Sequence, residues 1–100
     1  MTRTVQSDFP RALRFVRQTR GRSQEALDVV SGRTYVSALE RGVKQPTIGK
    51  LADLAGSLDI HPLTLMALSF MNRASPLEVE KLLLRVREEV SELVAIKRFE

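Results

Sequence analysis

Five residues in one short stretch of this chain, Arg33, Thr34, Ser37, Ala38 and Arg41, recur at spacings that place them together on one side of a helix. If the intervening Val36 and Leu39 turn toward a core, helical geometry turns these five outward. Their chemistry is that of recognition. A guanidinium presents a planar fork of donors that matches the paired acceptors of a guanine edge, and small hydroxyl and methyl groups let a backbone approach closely.

Bond-breaking chemistry finds no comparable set. The one histidine, His61, precedes Pro62 and has no Cys or acidic neighbours at ligand spacing, so it reads as a helix cap and no metal is expected. Ser23, Ser31 and Ser37 have no histidine or lysine base in a recognisable arrangement. The acidic pairs Glu78 with Glu80 and Glu88 with Glu89 belong to a charged helix face. There is no glycine-rich phosphate loop, and the five aromatic residues are too scattered to form a stacking platform for single-stranded RNA. The expectation is a protein that is not an enzyme, carries no cofactor and acts through what it binds.

The outward row needs a scaffold, and the pattern supplies an all-α one. Apolar residues recur three and four apart, with Gly and Pro falling between the periodic stretches. A first helix runs from about Asp8 to Arg20, with Pro10 in its first turn, Phe9, Leu13 and Val16 inward, and Gly21 as its stop. Ser23 caps a second helix, and a third spans roughly Arg33 to Arg41 before Gly42. Thr47 caps a fourth, carrying Ile48, Leu51, Leu54, Ala55 and Leu58. His61 caps a fifth, with Pro62 at its first position and Leu63, Leu65, Met66, Leu68 and Phe70 as apolar content.

The tail differs in pattern and charge. Ser75, Pro76, Leu77 and Glu78 form a capping box with proline at the first helical position, and no breaker follows. Val79, Leu83, Val86, Val90 and Leu93 are spaced 4, 3, 4, 3, and Leu82, Leu84, Val94 and Ile96 widen the apolar surface. One small domain cannot cover so long a face, so these five residues are expected to join two copies, the alternatives being a helix folded back on its own domain and a different partner protein. Residues 1–73 carry 11 basic and 6 acidic side chains, whereas 74–100 carry 5 and 6. The basic excess therefore lies with the outward row, where it attracts a polyanion. The expected division is a 1–73 recognition domain and a 74–100 association helix. One hundred residues, 43% apolar, suffice for one compact core but not for a sensor domain beside it, so no small-molecule effector is expected. Without cysteine there is no disulfide framework, and no apolar run is long enough for a membrane span or a secretory leader; an intracellular place is expected, nucleoid-associated if the polyanion attracted is DNA.

Four segments in order, SQEAL at 23–27, RTYVSALERG at 33–42, KQPT at 44–47 and LADLAGSLDIHPLTLM at 51–66, resemble the lambda-repressor-like, XRE-type helix-turn-helix domain. The resemblance covers about residues 9–70 and implies a five-helix DNA-binding domain, here with an additional long C-terminal helix, from a bacterium or phage. It implies that Arg33, Thr34 and Ala38, with Ser37 beside them, meet base edges, and that Ser23, Gln24, Arg41, Lys44 and Thr47 lie against phosphates. Arg17 and Glu40 match positions that pair structurally between the first and third helices in some members.

The chain departs from that family's pattern in three places. Two residues fewer separate the serine-glutamine start of the second helix from the arginine-threonine-tyrosine of the third, Asp28 stands where a small alanine is usual, and Arg22 replaces an apolar residue. Either the second helix ends early and Val29 and Val30 fill the gap, or Ser31 caps the third directly. The expected function is a homodimeric or higher-oligomeric regulator of transcription, a repressor reading palindromic double-stranded DNA. The alternatives are a docking module that no longer binds DNA and an antitoxin-type regulator whose tail grips a partner protein.

Overall fold

The computed structural model describes residues 7–31, 33–73 and 75–97, and the side chains of residues 28–31 and 33 lie outside that description. The described residues form six helices and no strand: α1 Phe9–Thr19, α2 Gln24–Ser31, α3 Arg33–Glu40, α4 Ile48–Ser57, α5 Pro62–Ser69 and α6 Pro76–Ile96. Contacts divide the chain into two compact units, Met1–Phe70 and Met71–Glu100.

Local chemistry sets where the helices of the first unit begin and end. Asp8, Ser23, Thr47 and His61 each accept a hydrogen bond from a backbone N–H two or three residues on, at 2.9–3.2 Å. That satisfies donors which the first helical turn leaves unpaired. At the other end, α1, α3 and α4 close with the same pair of bonds. After α3, the Gly42 N–H donates to the Leu39 carbonyl at 3.1 Å and the Val43 N–H to the Ala38 carbonyl at 2.9 Å. This closure requires a left-handed residue, and Gly42 supplies it at φ 75°. A Cβ there would meet Pro10 Cγ only at ordinary contact distance, 3.7 Å, so the backbone angle and not crowding is what calls for glycine. Asp59 takes the same role after α4 at φ 59°, a conformation that aspartate tolerates better than most residues.

Every helix of this unit contributes to the core, α1 and α4 most. Leu13, Leu27, Val36, Leu39, Leu54, Leu58 and Leu65 are fully buried. α1 packs on α3 and α5, α2 on α3 and α4, and α4 on α5. The periodicity overstates three positions: Ile48 is 81% and Leu63 65% exposed, each the first or second residue of its helix, where the chain has not yet turned onto the core, and Phe70, just past the end of α5, is 40% exposed.

In the second unit, α6 opens as its sequence dictates, with Ser75 Oγ accepting from the Glu78 N–H at 3.2 Å and Pro76 at the first helical position. The capping box is not reciprocal. Glu78 reaches past Ser75 and accepts from the Arg73 and Asn72 N–H groups at 2.7 and 3.2 Å. The helix has 21 residues, about 31 Å at 1.5 Å per residue, and none of them is buried. Val79 and Leu82 are half-buried, while Leu83, Val86, Val90, Leu93, Val94 and Ile96 lie exposed.

Candidate nucleic-acid interface

α3 is enclosed by α1 and α2, which leaves it a narrow outward face. Val36, Leu39, Ala38 and Glu40 are buried and Tyr35 half-buried, an arc of about 200° at 3.6 residues per turn. What remains open is Thr34, Arg41 and half-exposed Ser37. The expectation that Ala38 faces outward is therefore corrected: it is only 4% exposed. A two-residue stripe of Val36 and Leu39 underestimates how much of a short helix is covered when two other helices pack on it and its closing turn folds back. The Val43 and Lys44 N–H groups both approach the Ala38 carbonyl, at 2.9 and 3.4 Å. Arg33 is the first residue of α3, and its side chain lies outside the described residues.

The other residues expected at this surface fall around that face. Gln24 opens α2, half-buried, and lines a shallow polar depression with Glu25, Thr34 and Ser37. The exposed Arg41 side chain folds back along α3, its Nε donating to the Ser37 carbonyl at 3.3 Å. Ser23 and Thr47 spend their hydroxyl oxygens as helix caps. Lys44 is exposed, with its ammonium 5.9 Å from the centre of the Tyr35 ring. α2 runs on to Ser31 and α3 starts at Arg33, so the second helix does not end early. Val29, Val30 and Ser31 lie inside α2, and the side chain of Ser31, the other candidate cap, lies outside the described residues.

A buried carboxylate holds this arrangement together. Arg17 of α1 grips Glu40 of α3 with two of the three arms of its guanidinium, Nε to Oε2 at 2.6 Å and Nη2 to Oε1 at 3.0 Å. Its remaining arm donates to the Arg22 carbonyl at 2.9 Å. Gln24 Nε2 donates to Glu40 Oε1 at 3.0 Å, and Arg14 Nη2 to the Glu40 main-chain carbonyl at 2.8 Å. Because a carboxylate only accepts, the nitrogen of the Gln24 amide must face it. One N–H and the amide oxygen of Gln24 are thereby oriented away from Glu40. Burial pushes the Glu40 carboxyl up, but hydrogen bonds from Arg17 and Gln24 and the charges of Arg17 and Arg14 outweigh it and hold the group below its ordinary value. Arg17 is raised, chiefly by its hydrogen bond to Glu40. Three helices are thus tied at one ion, the last residue of α3, which fixes the helix against rotation.

Sequence reasoning missed the Arg14 bond to Glu40 and one tie further away. Arg22, in the place of an apolar residue, donates to the Ser57 carbonyl at 2.9 Å and to Asp59 Oδ2 at 3.1 Å. It thereby caps the C-terminal end of α4, where a cation is favoured. Its partners stand 35 and 37 residues away, and no periodicity signals such a pair.

Two helices meeting at a short junction, the second with its polar face outward and its base locked to the first helix, define a helix-turn-helix domain. The chain matches the helix-turn-helix family of XRE, lambda-repressor-like type over residues 13–65, just over half its length, and belongs to that family of DNA-binding transcriptional regulators. No curated protein and no solved structure matches it. Among the described residues no group of His, Cys, Asp and Glu can hold a metal ion, and no helix is long and apolar enough to cross a membrane.

Proposed function

We propose that this regulator works as a homodimeric repressor that reads a palindromic operator. α3 enters the major groove, Arg33, Thr34 and Ser37 meet base edges, and Ser23, Gln24, Arg41, Lys44 and Thr47 lie against the flanking phosphates. The observation that carries this reading is the narrow outward face of α3, polar throughout and anchored through Glu40 to α1 and α2. A groove is read well only by side chains whose backbone does not turn, and the double-armed bond at the last residue of α3 prevents turning. The separate bond that Gln24 donates to Glu40 aims its amide, leaving the second N–H to donate to a phosphate oxygen. Buried Ala38 takes no part in base contact.

Dimer formation is supported by α6. Val79, Leu83, Val86, Val90 and Leu93 share one face of a helix without a buried residue, and a second copy of that face covers it with matching heptad spacing. Two α3 helices then address half-sites about one helical turn, roughly 34 Å, apart. Occlusion of a promoter by the bound dimer is the simplest route to repression.

Selection from a random duplex library, followed by salt titration on the enriched site, tests the whole reading. An enriched inverted repeat, bound with a steep salt dependence, is expected. Enrichment of a single half-site would remove the dimer. Absence of binding at low salt would remove the DNA reading and favour a protein-docking role.

A further inference from the structure

Beside the outward face of α3 lies a cationic cluster that the residues named so far only half describe. The Lys44 ammonium, from the segment after α3, and the Lys50 ammonium, from the first turn of α4, each lie 5.9 Å from the centre of the same aromatic ring, that of Tyr35. Tyr35 is half-buried and packs on the core, so the ring is a fixed platform. The two lysines approach it from different elements. Lys50 is itself half-buried, which confines its stem. Neither lysine has a carboxylate partner among the described residues, and the first turn of α4 contains no acidic residue to neutralise them.

Two like charges gathered over one ring repel each other, and the electron-rich ring face offsets that only in part. An anion placed beside either ammonium relieves the repulsion. The place fits one anion in particular. Tyr35 lies next to Thr34 on α3, about 100° round the helix from it, so the cluster occupies the flank of the helix and not its tip. For a helix lying in a groove, the flank is where a phosphate backbone passes.

We propose that Lys50 is a DNA-phosphate contact paired with Lys44, and that Tyr35 is the positioning residue for both ammonium groups. The proposal rests on the DNA-binding reading above and adds to it a residue of α4 and a means of aiming two mobile cations. The contacts carry no base preference. Their contribution is to affinity and register.

The test uses the full chain and a duplex of random sequence, with the binding constant followed against salt. Each phosphate neutralised contributes about 0.9 to the slope of log K against log salt, so in the proposed dimer, which carries each lysine twice, Lys50→Gln lowers the slope by about 1.8 and the Lys44→Gln, Lys50→Gln pair by about 3.6. Lys81→Gln on α6, which removes the same charge elsewhere, leaves the slope unchanged. Tyr35→Phe retains the ring and binds as the unsubstituted chain does. Tyr35→Leu weakens binding about two- to fivefold, and does so no further once both lysines are glutamine, whereas a merely structural role for Tyr35 would weaken binding equally in both backgrounds. An unchanged slope in Lys50→Gln, or an equal loss in Lys81→Gln, overturns the phosphate contact while leaving DNA binding intact. A Tyr35→Leu effect that persists without the lysines overturns the positioning role. If the unsubstituted chain binds no duplex, both the DNA reading and the lysine pair fall together.

Discussion

Replacing Arg17 with alanine tests how far the domain depends on its buried carboxylate. The Glu40 side chain is 3% exposed and accepts two of its three side-chain hydrogen bonds from Arg17. Stranding a buried charge costs on the order of 3–5 kcal/mol. Two remaining groups soften the loss: Gln24 still donates, and the half-exposed Arg14, with its Nε 3.7 Å from Oε1, can swing closer. The expected cost is therefore about 3 kcal/mol, at the lower end of that range. For a unit of about 70 residues, whose whole stability is roughly 4–10 kcal/mol, that is a large fraction. With a urea slope of about 1 kcal/mol/M, it appears as a midpoint roughly 3 M lower.

Acid makes the reasoning sharper, because the sign of the effect reverses. In the unsubstituted chain Glu40 is held below its ordinary value of 4.5, so its contribution is present above that value and is lost as pH falls through the lowered one. Without Arg17, burial becomes the dominant influence and the carboxyl rises above its ordinary value. The penalty is then full at neutral pH and relieved by protonation on acidification. Urea unfolding followed by circular dichroism at about pH 7 and about pH 4.5 should show the gap between the two proteins narrowing in acid. Arg17→Met with Glu40→Leu removes both charges and should recover most of the loss, since an apolar pair of similar volume is commonly neutral or better. A cost below about 1 kcal/mol at neutral pH, or a gap that widens in acid, would refute the argument.

Three further substitutions separate the remaining roles. Arg33→Ala should cost about 1–3 kcal/mol on the selected site and relax preference at one base pair, measured by competition among single-base variants; equal weakening on every sequence would make Arg33 a phosphate contact instead. Leu83→Glu places a charge in the middle of the exposed apolar face of α6 and should give monomers by light scattering with the helical signal retained, whereas a persistent dimer would put the interface elsewhere. Arg22→Ala removes the donor to the Ser57 carbonyl and to Asp59 and should lower stability by about 1 kcal/mol, a melting shift of roughly 4–8 °C for a domain of this size; an unchanged melt would mean that water caps α4 equally well.

How much could be read from the sequence follows from the range over which each feature is determined. Helix starts are set within four residues by a cap and its N–H partner, and Ser23, Thr47, His61 and Ser75 are recognisable from the chain alone. Leu13, Leu54 and Leu65 are likewise legible, because an apolar stripe at helical spacing has little alternative to burial. Ala38 was not legible, since whether a small residue beside a stripe is covered depends on how many neighbours pack round the helix. Arg22 was opaque for a related reason: as a substitution for an apolar residue it reads as a defect until the end of α4 is brought beside it.

The same distinction separates the base-facing residues from the ones that aim them. Side chains that face a groove must be free of protein partners, so their pattern is local and visible as an outward row. The residues that orient the row must be bonded across the domain, and they come from α1, α2 and the α4 terminus at separations of 16 to 37 residues. Specificity in this protein therefore depends on two kinds of information. On the reading proposed above, changing Thr34 or Ser37 should alter which sequence is read, while changing Glu40 or Arg17 should alter whether α3 is held still enough to read any sequence. The two classes should separate experimentally, the first shifting base preference at constant stability and the second lowering stability and affinity together without moving the preferred site.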